Sequence, residues 1–275
     1  MRACTNYFMF SLIFIFLFSS CSTVPVTGRR QLDLVPGSYM LSVSFQQYDD
    51  FLKTHNLSNN QHETQLVKSV GLKIQKSVEN YMTANHLSKE LRDYKWEFNL
   101  VEDKEINAWC MPGGKVVVYT GILPVTGNES GLAVVMGHEI AHAVAKHGNE
   151  RMSEMLIAQL GGAALSVALK DKPEQTKQIW MTVFGAGAQL GFLLPYSRLQ
   201  ESEADRLGLI FMARAGYNPN EAVDFWVRMS DSAKGQKPPE FLSTHPSDET
   251  RIRKIKELLP EALKYFNKRP LATAK

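Results

Sequence analysis

Cysteine is nearly absent from this sequence, with three in 275 residues, and that scarcity excludes a disulfide-stapled fold. Cys4 lies in an N-terminal leader and Cys21 at its end, so Cys110 is left without a partner. Strong charge bias is missing too. A net charge of +3 is too small to argue for a nucleic-acid partner. Basic–aromatic interleaving, a glycine-rich phosphate loop and internal repeats are also lacking, so no nucleic acid is expected. Beyond the leader no apolar run reaches the roughly 20 residues that a membrane helix needs. "MLIAQLGGAALSVAL" and "IWMTVFGAGAQLGFLL" are short and carry Gln159 and Gln189 inside them, which predicts closely packed buried helices. What remains is an ordinary globular balance, 44% hydrophobic and 21% charged, with enough apolar mass for a core.

The chain opens with a basic Arg2, an apolar run from Tyr7 to Phe18, then Ser19-Ser20-Cys21. This is the pattern of a secretory leader, and the small residues before Cys21 make that cysteine the expected lipidated N-terminus. Ser22 in place of aspartate favours the outer membrane of a bacterial envelope, facing the periplasm. The expected organisation is a signal peptide over 1–20, a lipidated tether over 21–40, one folded domain over 41–270 and a tail over 271–275. The tether is predicted from the turn formers of "STVPVTGRRQLDLVPGSYM".

Within the domain, Val67, Val70, Ile74, Val78 and Tyr81 recur at helical spacing from His62 to Met82. Trp96, Phe98 and Leu100 alternate as in a half-buried strand, "MPGG" makes a turn, and "KVVVYTGIL" supplies a second strand. "KVVVYTG" offers a sheet edge that an extended peptide can join. Helices follow: one through "VVMGHEIAHAVAKHG", the two apolar runs, "SRLQESEADRLGLIFMARAG" ended by Gly216 and Pro219, and two more over 220–229 and 248–266.

The first of these helices carries three of the seven histidines among apolar neighbours. Residues four apart on a helix differ by about 40° in projection, so His138 and His142 aim two imidazoles at one point. That is the bite of a tetrahedral zinc site, and Glu139 sits one step round, placed to take a proton from water activated at the ion. Two histidines and a glutamate inside a core need a partner of comparable strength, and a metal supplies it. A third protein ligand is still required. His147 projects away from the pair on a continuing helix, as a surface or helix-end histidine would. Glu201 and Asp205 share one face of a later helix, with Glu203 pointing away; Glu201 can complete the metal and Asp205 can accept the free ring N–H of a ligand histidine. His245, in "STHPSDETR", can serve as oxyanion stabiliser, as a displaceable fourth ligand, or only as part of a capping turn. Arg251 can pair with the acidic cluster or support His245, and Tyr196 and Arg198 are further candidates for steadying the oxyanion.

With these residues in place, the chain resembles the zinc metallopeptidase family of the prenyl-protease, HtpX and Oma type (family M forty-eight), in its exported bacterial lipoprotein branch. "PVTGRRQL", "NAWCMPGGKVVVYTGIL", "GHEIAHAVAKHGNERMS", "ESEADRLGL", "AGYNP" and "THPSDETRI" occur in the expected order from about Pro25 to Ile255. The resemblance implies an α+β, mostly α-helical, zincin-like (gluzincin) fold with a small β-sheet beside the metal-binding helix. It implies one Zn2+ per chain on His138, His142 and Glu201, with Glu139 as general base and Asp205 behind the ligands. The implied activity is that of a metalloendopeptidase acting on polypeptides, with unfolded or misassembled envelope proteins as substrates and membrane attachment through a lipid on Cys21. The alternative is a chaperone-like zincin scaffold with little proteolysis, against which an intact Glu139 speaks.

Overall fold

The computed structural model describes residues 21–189, 193–234, 239–246 and 249–267. The expected leader, the tail and the side chain of Tyr196 lie outside the described residues. The chain begins with strands β1 (Cys21–Thr23) and β2 (Arg30–Leu32), paired antiparallel. Helices α1 (Gly37–Thr54) and α2 (Gln61–Ala84) follow. The side chain of Asn60 caps α2 by accepting from the Glu63 backbone N–H at 3.2 Å, and Val67, Val70, Ile74 and Val78 form its buried stripe.

Strands β3 (Glu97–Val101), β4 (Ala108–Met111) and β5 (Lys115–Tyr119) form a mixed sheet in the order β3-β5-β4. Here the sequence-based expectation is corrected. "KVVVY" is the central strand, parallel to β3 and antiparallel to β4, and Val116 to Tyr119 are all buried. A continuous β-branched run of this kind suits a strand covered on both faces. The open edge beside the helices is β4, "AWCM", and the turn from β4 into β5 uses Gly113 and Gly114 at positive φ.

The remaining elements are the short α3 (Leu123–Thr126), then α4 (Glu129–Val144), α5 (His147–Ala168), α6 (Glu174–Ala188), α7 (Leu194–Ala215), α8 (Glu221–Ser232), the short α9 (Glu240–Thr244) and α10 (Glu249–Asn267). The expected α+β, mostly helical architecture with a small sheet is thus the one observed. Asn128 caps α4 through the Gly131 N–H at 2.9 Å, and every residue of that helix from Gly131 onward is buried. The helix stops at Lys146, a non-glycine residue at φ 59°, and α5 leaves in a new direction from His147. Helices α4 and α7 cross at Gly137 and Gly208. A β-carbon on Gly208 would stand 2.9 Å from the His138 backbone nitrogen. That crossing brings the later acidic residues onto the histidine face of α4.

Two expectations fail outside this centre. The segment read as a tether is docked: Val24 and Gln31 are buried, Leu34 N–H donates to Ser153 Oγ at 2.9 Å, and Arg29 reaches Glu150 at 2.7 Å. Its turn formers shape a hairpin rather than free chain. Helix α6 has no buried residue, and Leu160, Val167, Ile179, Trp180 and Val183 stand exposed on the α5–α6 pair. Gly161 and Gly162 of α5 serve contact with Phe184 of α6, not insertion into the core. Among the described residues no helix is long and apolar enough to cross a membrane.

At the base of α5, Glu154 is 2% exposed, and one of its carboxylate oxygens has no hydrogen-bond partner among the described residues. Burial, with Glu150 nearby, pushes its pKa up to about 7. The folded state therefore holds a proton that the unfolded chain releases near pH 4.5, and stability falls as pH rises from there to about 7. Glu154→Gln is expected to raise the melting temperature more at pH 8 than at pH 4.5. An equal gain at both would contradict the assignment.

Candidate metal centre

Four side chains converge where α4, α7 and the end of α9 meet. Ligand-type atoms of His138, His142, Glu201 and His245 all lie within 4.8 Å of one another. The two α4 histidines present their Nε2 atoms, 3.0 Å apart, with the Glu201 carboxylate 3.3 Å from one and 3.2 Å from the other. His245 Nδ1 lies 3.0 Å from Glu201 and 3.2 Å from His138 Nε2. Of Glu201's side chain 12% remains accessible; the histidines are buried. Burial pushes the Glu201 carboxyl up, but the neighbouring imidazoles of His138, His142 and His245 overcome this and hold it ionised far below the usual range. For His142, burial drives the imidazole well down, so it is a neutral donor.

Glu139 points into the same space. Its Oε1 is buried without a hydrogen-bond partner among the described residues, 3.4 Å from His245 Nε2, and burial raises its pKa. Strand β4 packs against α4, the helix that carries Glu139, and its Cys110 thiol is pushed well up by burial and by the Glu139 carboxylate. An orphaned carboxylate oxygen next to three nitrogens and a carboxylate fits a divalent metal with water beside it.

Behind His138 stands Asp205, with Oδ1 3.0 Å from Nδ1. Arg251 clamps Asp205 through two hydrogen bonds of 2.9 and 2.7 Å, stacks 3.6 Å from the Trp226 ring centroid, and donates to the Pro246 carbonyl. Arg251 also lies 3.2 Å from Glu201. Burial opposes ionisation of Asp205, and Arg251 with His138 outweighs it. In turn Asp205 and Glu201 outweigh burial at His138 and hold its pKa up to about 9. Arg198 is exposed.

His147 corrects the sequence reading. It heads α5 but is fully buried, with Nδ1 2.8 Å from His142 Nδ1 and Nε2 3.1 Å from Glu203. Glu203 does point away from the four-residue group, yet into a buried network with Thr27, Arg29 and His147 rather than into solvent. The break at Lys146 swings His147 back, and the residue at the break is itself neither glycine nor proline. Five-residue spacing from His142 was the available signal.

Residues 70–259 match the sequence profile of peptidase family M48. Similar proteins include the mitochondrial metalloendopeptidase OMA1 of Schizosaccharomyces pombe, 36% identical over 90% of this chain and 69% of that protein. Human mitochondrial metalloendopeptidase OMA1 is 31% identical over 93% of this chain and 49% of its own. The beta-barrel assembly-enhancing protease of Escherichia coli is 32% identical over 69% of this chain and 37% of its own.

Proposed function

From the premise that the chain belongs to peptidase family M48, we propose that it is a zinc-dependent endopeptidase whose metal is held by His138, His142 and Glu201. The observation that carries this reading is the convergence of Glu201 on the two Nε2 atoms of α4 from a crossing helix. The ion supplies Lewis acidity to water and to a substrate carbonyl when bound. Glu139 takes the proton of the attacking water and passes it to the departing amine. Its Oε1, without a hydrogen-bond partner among the described residues, and its raised pKa suit a group that must both accept and release a proton. His245, grouped with these three residues, would offer the ion one further nitrogen. The β4 edge beside Cys110 and Glu139 can receive an extended peptide through main-chain hydrogen bonds, with little demand on side-chain sequence.

The proposed substrates are unfolded or misassembled polypeptides, in keeping with the named role of the Escherichia coli relative in β-barrel assembly. The N-terminal pattern ending in Ser20-Cys21 supports export and a lipid on Cys21, with residence at the bacterial outer membrane facing the periplasm. A casein digest tests the reaction. Cleavage is expected to stop when 1,10-phenanthroline removes the metal and to return on adding one equivalent of Zn2+. Cleavage by metal-free protein would overturn the proposal.

A further inference from the structure

The buried network at His147 begins on a metal-facing histidine and ends on the N-terminal hairpin. We infer that His147, Glu203 and Arg29 form an outer relay that fixes the tautomer and aim of His142, so that docking of the β1–β2 hairpin is part of the metal site. This rests on the proposed role of His142 as a ligand.

A proton inventory along the chain carries the argument. Glu203 receives the Thr27 hydroxyl, Arg29 Nε at 2.9 Å and His147 Nε2 at 3.1 Å. Three donors on one carboxylate require it to be ionised and to act only as acceptor. His147 therefore carries its proton on Nε2, and its Nδ1 offers a lone pair. The 2.8 Å contact between the Nδ1 atoms of His147 and His142 then needs its proton on His142. With Nδ1 protonated, neutral His142 has its free lone pair on Nε2, the atom that faces Glu201 and His138. An arginine outside the metal group thus selects which nitrogen of a ligand is available.

Arg29 is itself held in place. Its two terminal nitrogens each lie 2.7 Å from one Glu150 oxygen, and Gln200 donates to the same carboxylate at 2.9 Å. The arrangement parallels that of the other α4 histidine, where Asp205 receives His138 Nδ1 and Arg251 clamps Asp205. Each imidazole is backed by an acid, His138 directly by Asp205 and His142 through His147 by Glu203, and each acid is fixed by an arginine from a distant part of the chain. The two arginines come from opposite ends of the fold, Arg29 from the "PVTGRRQL" stretch and Arg251 from α10. Undocking of the hairpin would remove Thr27 and Arg29 together and leave Glu203 free to turn from His147. Such partners of a ligand histidine typically contribute about 10–100-fold in metal affinity.

The test is zinc affinity of the full chain, read by competition with a chromophoric chelator, alongside the melting temperature of the metal-free protein. Arg29→Ala and His147→Phe are each expected to weaken zinc binding about 10–100-fold. Arg29→Lys, which keeps a cation near Glu203, is expected to recover part of the loss. The double variant is expected to lose little more than His147→Phe alone, because the two act in series. Should His147→Phe fail to fold, the isosteric Glu203→Gln carries the test, since its amide can donate as well as accept and no longer dictates the His147 tautomer. A purely structural network predicts lower metal-free melting temperatures with wild-type zinc affinity, and that result would overturn the relay. Wild-type protein that binds no zinc would remove the metal-site reading and the relay with it. Wild-type protein binding one zinc, with all variants equal to it, removes the relay alone.

Discussion

Glutamine in place of Glu139 is expected to cut the rate of peptide-bond cleavage by about 100- to 10,000-fold, the usual range for loss of a positioned proton carrier, while the metal stays bound. The substitution is close to isosteric, so the buried space it fills is unchanged. What it removes is the ability of one atom, Oε1, to accept a proton. That atom has no hydrogen-bond partner among the described residues and lies against the group formed by His138, His142, Glu201 and His245. In a fold where buried polar atoms are almost always paired, an unpaired carboxylate oxygen aimed at ligand-type atoms implies a partner that arrives for the reaction. Initial rates on an unfolded protein substrate and zinc content of the same preparation make the measurement. A variant that loses its zinc would show that Glu139 holds the ion rather than the proton. A variant that cleaves at the wild-type rate would remove Glu139 from the mechanism altogether.

Much of the centre was legible because helical periodicity is local. The spacing of His138 with His142, and of Glu201 with Asp205, fixes shared faces without reference to the rest of the fold. The apolar residues around each pair identify both helices as buried, and only a shared core joins two buried polar faces. The unread parts depend on non-local packing. Nothing in "KVVVY" distinguishes a central strand from an edge; the antiparallel return of β4 decides it. "MLIAQLGGAALSVAL" and its successor are apolar in composition, yet Leu160, Val167, Ile179 and Trp180 are exposed, because the small residues join the pair to each other and not to the core. His147 was projected outward by extending α4 as an unbroken helix, and Lys146 breaks it without a sequence marker. Arg29 sits among turn formers that suggest a linker. Its ion pairs with Glu150 and Glu203 turn that stretch into a docked hairpin.

Asp205→Ala is the substitution expected to cost most in stability. Arg251 is 7% exposed, stacked on Trp226, and donates two hydrogen bonds, of 2.9 and 2.7 Å, to the Asp205 carboxylate. Removing one partner of a buried ion pair typically costs about 3–5 kcal/mol, most of it the stranded charge rather than the lost contact. The stranded charge has a second effect here. Arg251 already lies 3.2 Å from Glu201, so without Asp205 that carboxylate is an acidic neighbour within its reach. It then competes with the metal for Glu201, while His138 loses the acceptor that fixes its Nδ1 proton. Urea unfolding of the metal-free protein is expected to show a loss within that range, and zinc affinity should fall as well. Adding Arg251→Met separates the two effects. With the stranded cation gone, most of the stability is expected to return, and so is the part of the zinc affinity lost to competition at Glu201. The part lost at His138 is expected to persist. If the double variant remains as unstable as Asp205→Ala, the cost lies in packing around Asp205 and not in the charge of Arg251.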